Sequence, residues 1–197
     1  MAKSNSASKK IILHLGKQHV KFEVVKHRKV YTAYDLAQTA GEKLENVAKT
    51  LLVKVELPSL KKKDERYYTV VVPASYYVEL GKLKKLLKAK KIELVFEKGM
   101  KKLGIEPGAL TPFGSLRGFG TVVDKALLKS KSALVGAESF TEHLRMKMKD
   151  FVKAENPILG AFGKKNTMKL QAKPMKKKSS KKTGKKKPAK KASKKRR

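Results

Sequence analysis

The last 34 residues limit what this chain can fold into. From Lys164 to Arg197 there are 18 basic residues and no acidic one, spaced by Ser, Pro, Ala and Gly. Such a stretch cannot bury enough apolar surface to offset the entropy of ordering its backbone. It reads as a disordered lysine-rich tail. Residues 1–12 are small, polar and basic, and read as a second disordered end. What remains, residues 13–163, has the size of one ordinary domain.

Charge narrows the partners. The chain carries 50 Lys+Arg against 16 Asp+Glu, a formal net charge of +34. Without the tail, residues 1–163 hold 32 basic and 16 acidic residues and remain at +16. So large an excess repels itself unless a polyanion is near. Nucleic acid and anionic membrane are the candidates. There is no apolar run of about 18 residues to span a bilayer, and the opening Met1-Ala2-Lys3-Ser4-Asn5-Ser6 lacks the apolar core of a secretory signal. A polybasic tail without a lipid anchor holds a membrane only weakly. Nucleic acid is favoured and no membrane partner is expected. The absence of cysteine removes disulfides, thiolate chemistry and Cys-based zinc sites. It fits a reducing compartment, so the expected location is cytoplasmic, with nucleoid or ribosome association through the tail.

Between the two ends the pattern is regular. Val20 to Val24 alternates like a half-buried strand. Thr32-Ala33-Tyr34-Asp35 has the shape of a capping box, followed by Leu36 and Ala40 on one helical face and by Gly41 as a stop. Thr50–Val55 and Tyr67–Val72 read as strands around a polar loop, Pro58 to Asp64. Leu80 to Lys90 spaces leucines at 80, 83, 86 and 87 as an amphipathic helix does. Ile92 to Phe96 reads as a short strand, and Lys98 to Leu103 as one or two helical turns stopped by Gly104. Gly104 to Gly120 holds too much Gly and Pro for a helix or central strand. Thr121–Val123 and Ala133–Gly136 are further short strands, and Asp150–Glu155 a closing helix. Interspersed strands and helices indicate a mixed α/β (α+β) domain.

Several chemistries drop out. Gly114, Gly118 and Gly120 lack the order of a dinucleotide fingerprint. Thr183-Gly184-Lys185 resembles a P-loop fragment but has no strand before it. His14, His19, His27 and His143 have neither the i,i+4 zinc spacing nor cysteine partners, and read as surface or locally bonded imidazoles. No serine sits in a nucleophile elbow. No metal and no cofactor are expected. What remains is Lys49 at the edge of a strand, and a stiff Gly/Pro loop whose backbone amides could converge on an anion or a developing oxyanion. The alternative is that Lys49 is one more solvated lysine and the loop only a connector.

Those same segments resemble the YbaK / prolyl-tRNA-synthetase-associated editing domains, in particular the free-standing members. The matching pieces run in the family's order: Val30-Tyr31-Thr32-Ala33 after His27, Val47-Ala48-Lys49-Thr50-Leu51, Val71-Val72-Pro73-Ala74, Glu106 to Gly114, Val122-Val123-Asp124, and Leu144-Arg145-Met146 with Asp150-Phe151. The Pro-Gly…Pro-Phe-Gly loop is the most distinctive. The resemblance implies a single domain with a mixed, partly barrel-like sheet flanked by helices. It implies hydrolysis of the ester of mischarged aminoacyl-tRNA, tRNA for proline carrying Ala, Cys or a similar small amino acid, by water and without a metal. Lys49 matches the family's functional lysine. His27, Thr32, Pro73, Gly108, Pro112, Phe113, Gly114 and Ser139 are the substrate-binding residues it suggests. One departure stands out: Glu138-Ser139-Phe140 occupies the place of a Gly-Thr-His-type turn found in many free-standing relatives, which puts substrate choice and possible catalysis in question.

The tail, with Lys176, Lys177, Lys178, Lys185, Lys186 and Lys187 at its densest, is expected to hold phosphates without reading sequence. Aminoacyl-tRNA is the expected partner, ribosomal RNA or DNA the further ones, and the chain is expected to be a monomer. The competing reading is an editing fold without catalysis that binds RNA or DNA through its basic surface and tail.

Overall fold

The structure is a computed structural model and describes residues 8–58 and 65–166. Its first element corrects an expectation. Helix α1, Lys9–Lys17, begins inside the stretch read as disordered, because Ile11 and Leu15 lie one turn apart and are both fully buried. Residues 1–7 lie outside the described residues. β1 (Phe22–Lys26) follows, then α2 (Ala33–Ala40). Thr32 caps α2 by accepting from the Asp35 N–H at 3.1 Å, and Gly41 closes it in the left-handed region at φ 65°.

The chain then enters the main sheet through β2 (Ala48–Glu56) and β3 (Glu65–Pro73), with β4 (Tyr76–Val78), α3 (Leu80–Leu86), β5 (Lys91–Leu94) and α4 (Glu97–Lys102) after them. Residues 104–119 form a loop with one short 3₁₀ turn at Gly114–Arg117. The second half contains β6 (Gly120–Asp124), β7 (Ser132–Gly136), β8 (Glu142–Lys147), α5 (Met148–Glu155), β9 (Ile158–Gly160) and β10 (Gly163–Lys165).

Five strands form an open sheet in the order β5-β2-β3-β6-β9, antiparallel over the first three and parallel from β3 to β9. Three more form the antiparallel sheet β1-β8-β7, joined to the first by a parallel bridge between Val47 and Leu134. The fold is therefore mixed α/β as expected, but the sheet does not close, which corrects the barrel-like expectation. β10 pairs with β4 from Gly163↔Val78 to Lys165↔Tyr76, so the folded unit runs to Asn166 rather than ending at 163. The tail lysines named above lie outside the described residues.

Alternation along β3 and β6 builds two cores on opposite faces. Val71 and Val123 pack with Ile11, Leu15, Phe113 and Phe151 on one side. Val70, Val72 and Val122 pack with Leu83 of α3 and Phe162 on the other. A small third cluster, Val30, Leu36, Ala37, Val47 and Leu134, seats α2 over the junction of the two sheets. Two buried carboxylates pin the edges. Asp124 accepts backbone N–H groups from Ala126, Phe162 and Gly163 at 2.8, 2.7 and 2.6 Å. Glu155 accepts from the Ser115 hydroxyl at 2.6 Å and the Thr121 hydroxyl at 2.9 Å, tying α5 to the Gly/Pro loop.

Candidate active site

At the start of β2, Ala48 pairs with Pro73 and Lys49 with Val72. Lys49 is half-buried, and its Nζ donates to the Tyr76 carbonyl oxygen. Among the described residues no carboxylate pairs with it. Burial holds its pKa below the ordinary lysine value. An ammonium answered by only one neutral carbonyl keeps its charge available to an incoming oxygen.

That lysine lies on the wall of a cavity of about 370 Å³, shared with Tyr31, Thr32, Gly108, Gly136 and His143. Thr32 is held there by its cap, with its hydroxyl donating to Asp35 Oδ2 at 2.7 Å. Gly108 adopts φ 87°, and a Cβ on it would stand 3.1 Å from Cε1 of Phe140. Both the backbone conformation and the space favour glycine. Tyr31 and Phe140 meet with ring centroids 5.3 Å apart, and Lys29 Nζ stands 5.3 Å over the Tyr31 ring.

His143 completes the wall, with His27 hydrogen-bonded behind it. His27 Nδ1 lies 2.8 Å from the Arg28 carbonyl, and His27 Nε2 lies 2.8 Å from His143 Nδ1. A carbonyl only accepts, so neutral His27 carries its proton on Nδ1 and accepts through Nε2. His143 then donates through Nδ1, and its Nε2 is left as a lone-pair acceptor. Burial, and secondly the neighbouring His27, pull the His143 pKa down to about 4. The ring is neutral at physiological pH.

The structure thus brings Thr32, Lys49 and Gly108 to one cavity, with His27 one hydrogen bond behind it. Other expected substrate residues stand elsewhere. Phe113 is fully buried, its ring edge-on to Phe151 at 5.4 Å, which corrects its placement at the substrate. Pro112 and Gly114 are buried beside it: the Pro112 carbonyl accepts from the Gly114 N–H at 3.0 Å, and a Cβ at Gly114 would meet the Thr69 and Thr121 hydroxyls at 2.7 Å. Pro73 is buried at the end of β3. Ser139 is 2% exposed and turns its hydroxyl to the N–H groups of Thr141 and Glu142 at 3.2 and 3.1 Å, so it holds the turn together. His143 was not visible as a site residue from sequence, because its partner is 116 positions away.

Residues 27–154 match the aminoacyl-tRNA editing domain family, and the chain belongs to that family. The fold agrees. The crystal structure of a hypothetical protein superposes with a TM-score of 0.69 at 18% identity, covering 79% of this chain and 100% of that one. A proposed trans-editing enzyme for prolyl tRNA synthetase superposes with a TM-score of 0.65 at 18% identity, covering 81% of this chain and 99% of that one. No curated protein is significantly similar in sequence. Among the described residues no helix is long and apolar enough to cross a membrane, and no three His, Asp or Glu side chains gather as a metal-holding group.

Proposed function

We propose that this chain is a free-standing deacylase that hydrolyses the ester between tRNA and a wrongly attached amino acid, using water and no metal. The observation that carries the reading is Lys49: a half-buried ammonium with no carboxylate partner among the described residues, on the wall of a cavity it shares with Gly108. When water adds to the ester carbonyl, negative charge develops on its oxygen, and a fixed cation in a partly dry site stabilises that charge. His143 Nε2 is an acceptor on the same wall and orients the attacking water. Water adds first, giving a tetrahedral species with the charge on the former carbonyl oxygen. Its collapse re-forms the carbonyl and breaks the bond to the ribose oxygen, which takes up the proton that the attacking water gives up. Tyr31, 59% exposed, lines the same cavity, its ring packed on Phe140 and under Lys29.

Phe140 is buried behind Gly108 and does not line the cavity. A small side chain such as that of alanine, serine or cysteine is the one to try first, since selectivity in such a pocket comes from size and unmatched polar groups. The resemblance to a proposed trans-editing enzyme for prolyl tRNA synthetase makes tRNA for proline the first substrate to try. The substituted turn Glu138-Ser139-Phe140 favours the second reading, a fold that binds RNA without turnover. Deacylation of Ala-, Cys- and Ser-charged tRNA separates the two. Hydrolysis of at least one, well above the uncatalysed rate and lowered about 10²–10³-fold by Lys49→Ala, is expected; no hydrolysis of any leaves only the binding module.

A further inference from the structure

A second, larger hollow of about 820 Å³ lies on the sheet that carries His143. Its floor is apolar, with Leu128, Met148 and Val152. Its rim carries Lys129, Lys131, Lys147 and Lys149, all exposed. Among the described residues no carboxylate lines it. Lys26, Lys54, Lys82, Lys90, Lys91 and Lys165 each have a carboxylate partner, whereas among the described residues none of the four rim lysines does. The walls are clipped together by the Met148 N–H donating to the Lys131 carbonyl at 3.2 Å, and by the pairing of Ser132 with Lys147. Four unanswered ammonium groups around one concavity repel each other, and a multivalent anion relieves that repulsion.

The position of this hollow gives the anion an identity. Gly136 and His143 pair at one end of the β7–β8 ladder and line the Lys49 cavity; Ser132 and Lys147 pair at the other end and line the lysine groove. Four residues along a strand is about 13 Å, and an even spacing keeps His143 and Lys147 on the same face. Arg145, between them on that face, is already engaged by Glu23 at 3.2 Å and Glu42 at 2.8 Å. Along this face of β8, the positive charge that no carboxylate answers therefore lies at the groove end.

We propose that this groove binds the phosphate backbone of the substrate tRNA close to its acceptor end, while the 3′ ester occupies the Lys49 cavity. The proposal rests on the deacylase reading. Lysines act here as point charges that fix position and register without reading bases, so binding is independent of sequence and falls with salt.

The test uses the full chain and two esters: aminoacyl-tRNA, and the same amino acid esterified to adenosine alone, too short to reach the groove. Replacing Lys129, Lys131, Lys147 and Lys149 together by Ala should raise KM for the tRNA at least about tenfold with kcat held. It should also make log KM less steep in log salt by about 3, nearly one per lost phosphate contact. Because all four side chains are exposed, the fold should survive, which far-UV circular dichroism checks. A control that replaces Lys17, Lys84, Lys85 and Lys101, also exposed, by Ala changes net charge equally and should leave most of the KM unchanged. An equal rise in the control, an equal rise with the adenosine ester, or no rise at all overturns the groove. If the wild type hydrolyses neither ester, the deacylase reading has failed instead. The Kd of the two variants for uncharged tRNA then decides the groove separately.

Discussion

One loop, residues 104–120, serves two regions with opposite demands. At Gly108 it is exposed, bends through φ 87° and forms part of the cavity wall beside Lys49. Five and six residues later, Phe113 and Gly114 are buried, one filling the core against Phe151 and the other letting two threonine hydroxyls approach. The hinge between these roles is Thr111, 1% exposed, whose hydroxyl donates to the Gly136 carbonyl at 2.8 Å. Two glycines in one motif are thus required for different physical reasons: one for a backbone conformation at the cavity, the other for the absence of a side chain in the core. A motif shared across a family need not be a site along its whole length.

The sharpest way to break this division is to remove a residue from each side. Phe113→Ala should cost about 3–5 kcal/mol of stability, because a large ring is deleted from a packed core. The fraction that remains folded should still turn over. Urea denaturation followed by activity per folded molecule measures both, and a stable variant that has lost turnover would return Phe113 to the substrate. Lys49→Ala should do the reverse. It should lower kcat about 10²–10³-fold, the usual loss when one group that stabilises an oxyanion is removed, while stability falls little or rises as a half-buried charge disappears. Loss of the fold together with activity would make Lys49 a structural residue.

Gly114→Ala refines the comparison at smaller size. Its Cβ would stand 2.7 Å from two hydroxyls and 3.0 Å from the Gly120 carbonyl, and the carbonyl cannot move aside cheaply. Overpacking of this kind costs about 1–3 kcal/mol. The loss should appear in the denaturation midpoint and not in KM. A change in KM with an unaltered midpoint would place this end of the loop at the cavity after all.

Legibility in the sequence followed the same division between local and long-range causes. β2 and β3 are visible as valine-rich runs, and α2 from Thr32, Asp35 and Gly41, because those signals lie within a few residues. α1 is hidden by its lysines: Ile11 and Leu15 are its only buried residues, and nothing in the segment announces that β7 and β8 will bring a core to them. β4, β9 and β10 are three residues each, too short to show a period, and exist through their partners. In the site, Lys49, Thr32 and Gly108 follow from resemblance to a family, since each belongs to a motif. His143 belongs to none. Its role depends on an imidazole 116 positions away, brought opposite by the pairing of β1 with β8. The Glu155 clasp on Ser115 and Thr121 escapes for the same reason.

His143 also gives the smallest of the expected effects, and a test of whether the cavity wall is as dry as its lysine implies. Its folded pKa of about 4 lies below the ordinary histidine value of 6.5. Between those two values the unfolded chain binds more protons than the folded one, so stability rises with pH there and is lost as pH falls. From pH 7 to pH 5.5 the loss should be roughly 1 kcal/mol for this one group. Carboxylates titrate lower and contribute to wild type and variant alike, so the informative quantity is a difference. The stability gap between wild type and His143→Gln should shift by that amount in favour of the variant at pH 5.5. Parallel pH profiles would mean that water reaches the ring freely. The His27–His143 hydrogen bond would then fix an orientation without excluding solvent, and Lys49 would be acting in a wetter site than its burial indicates.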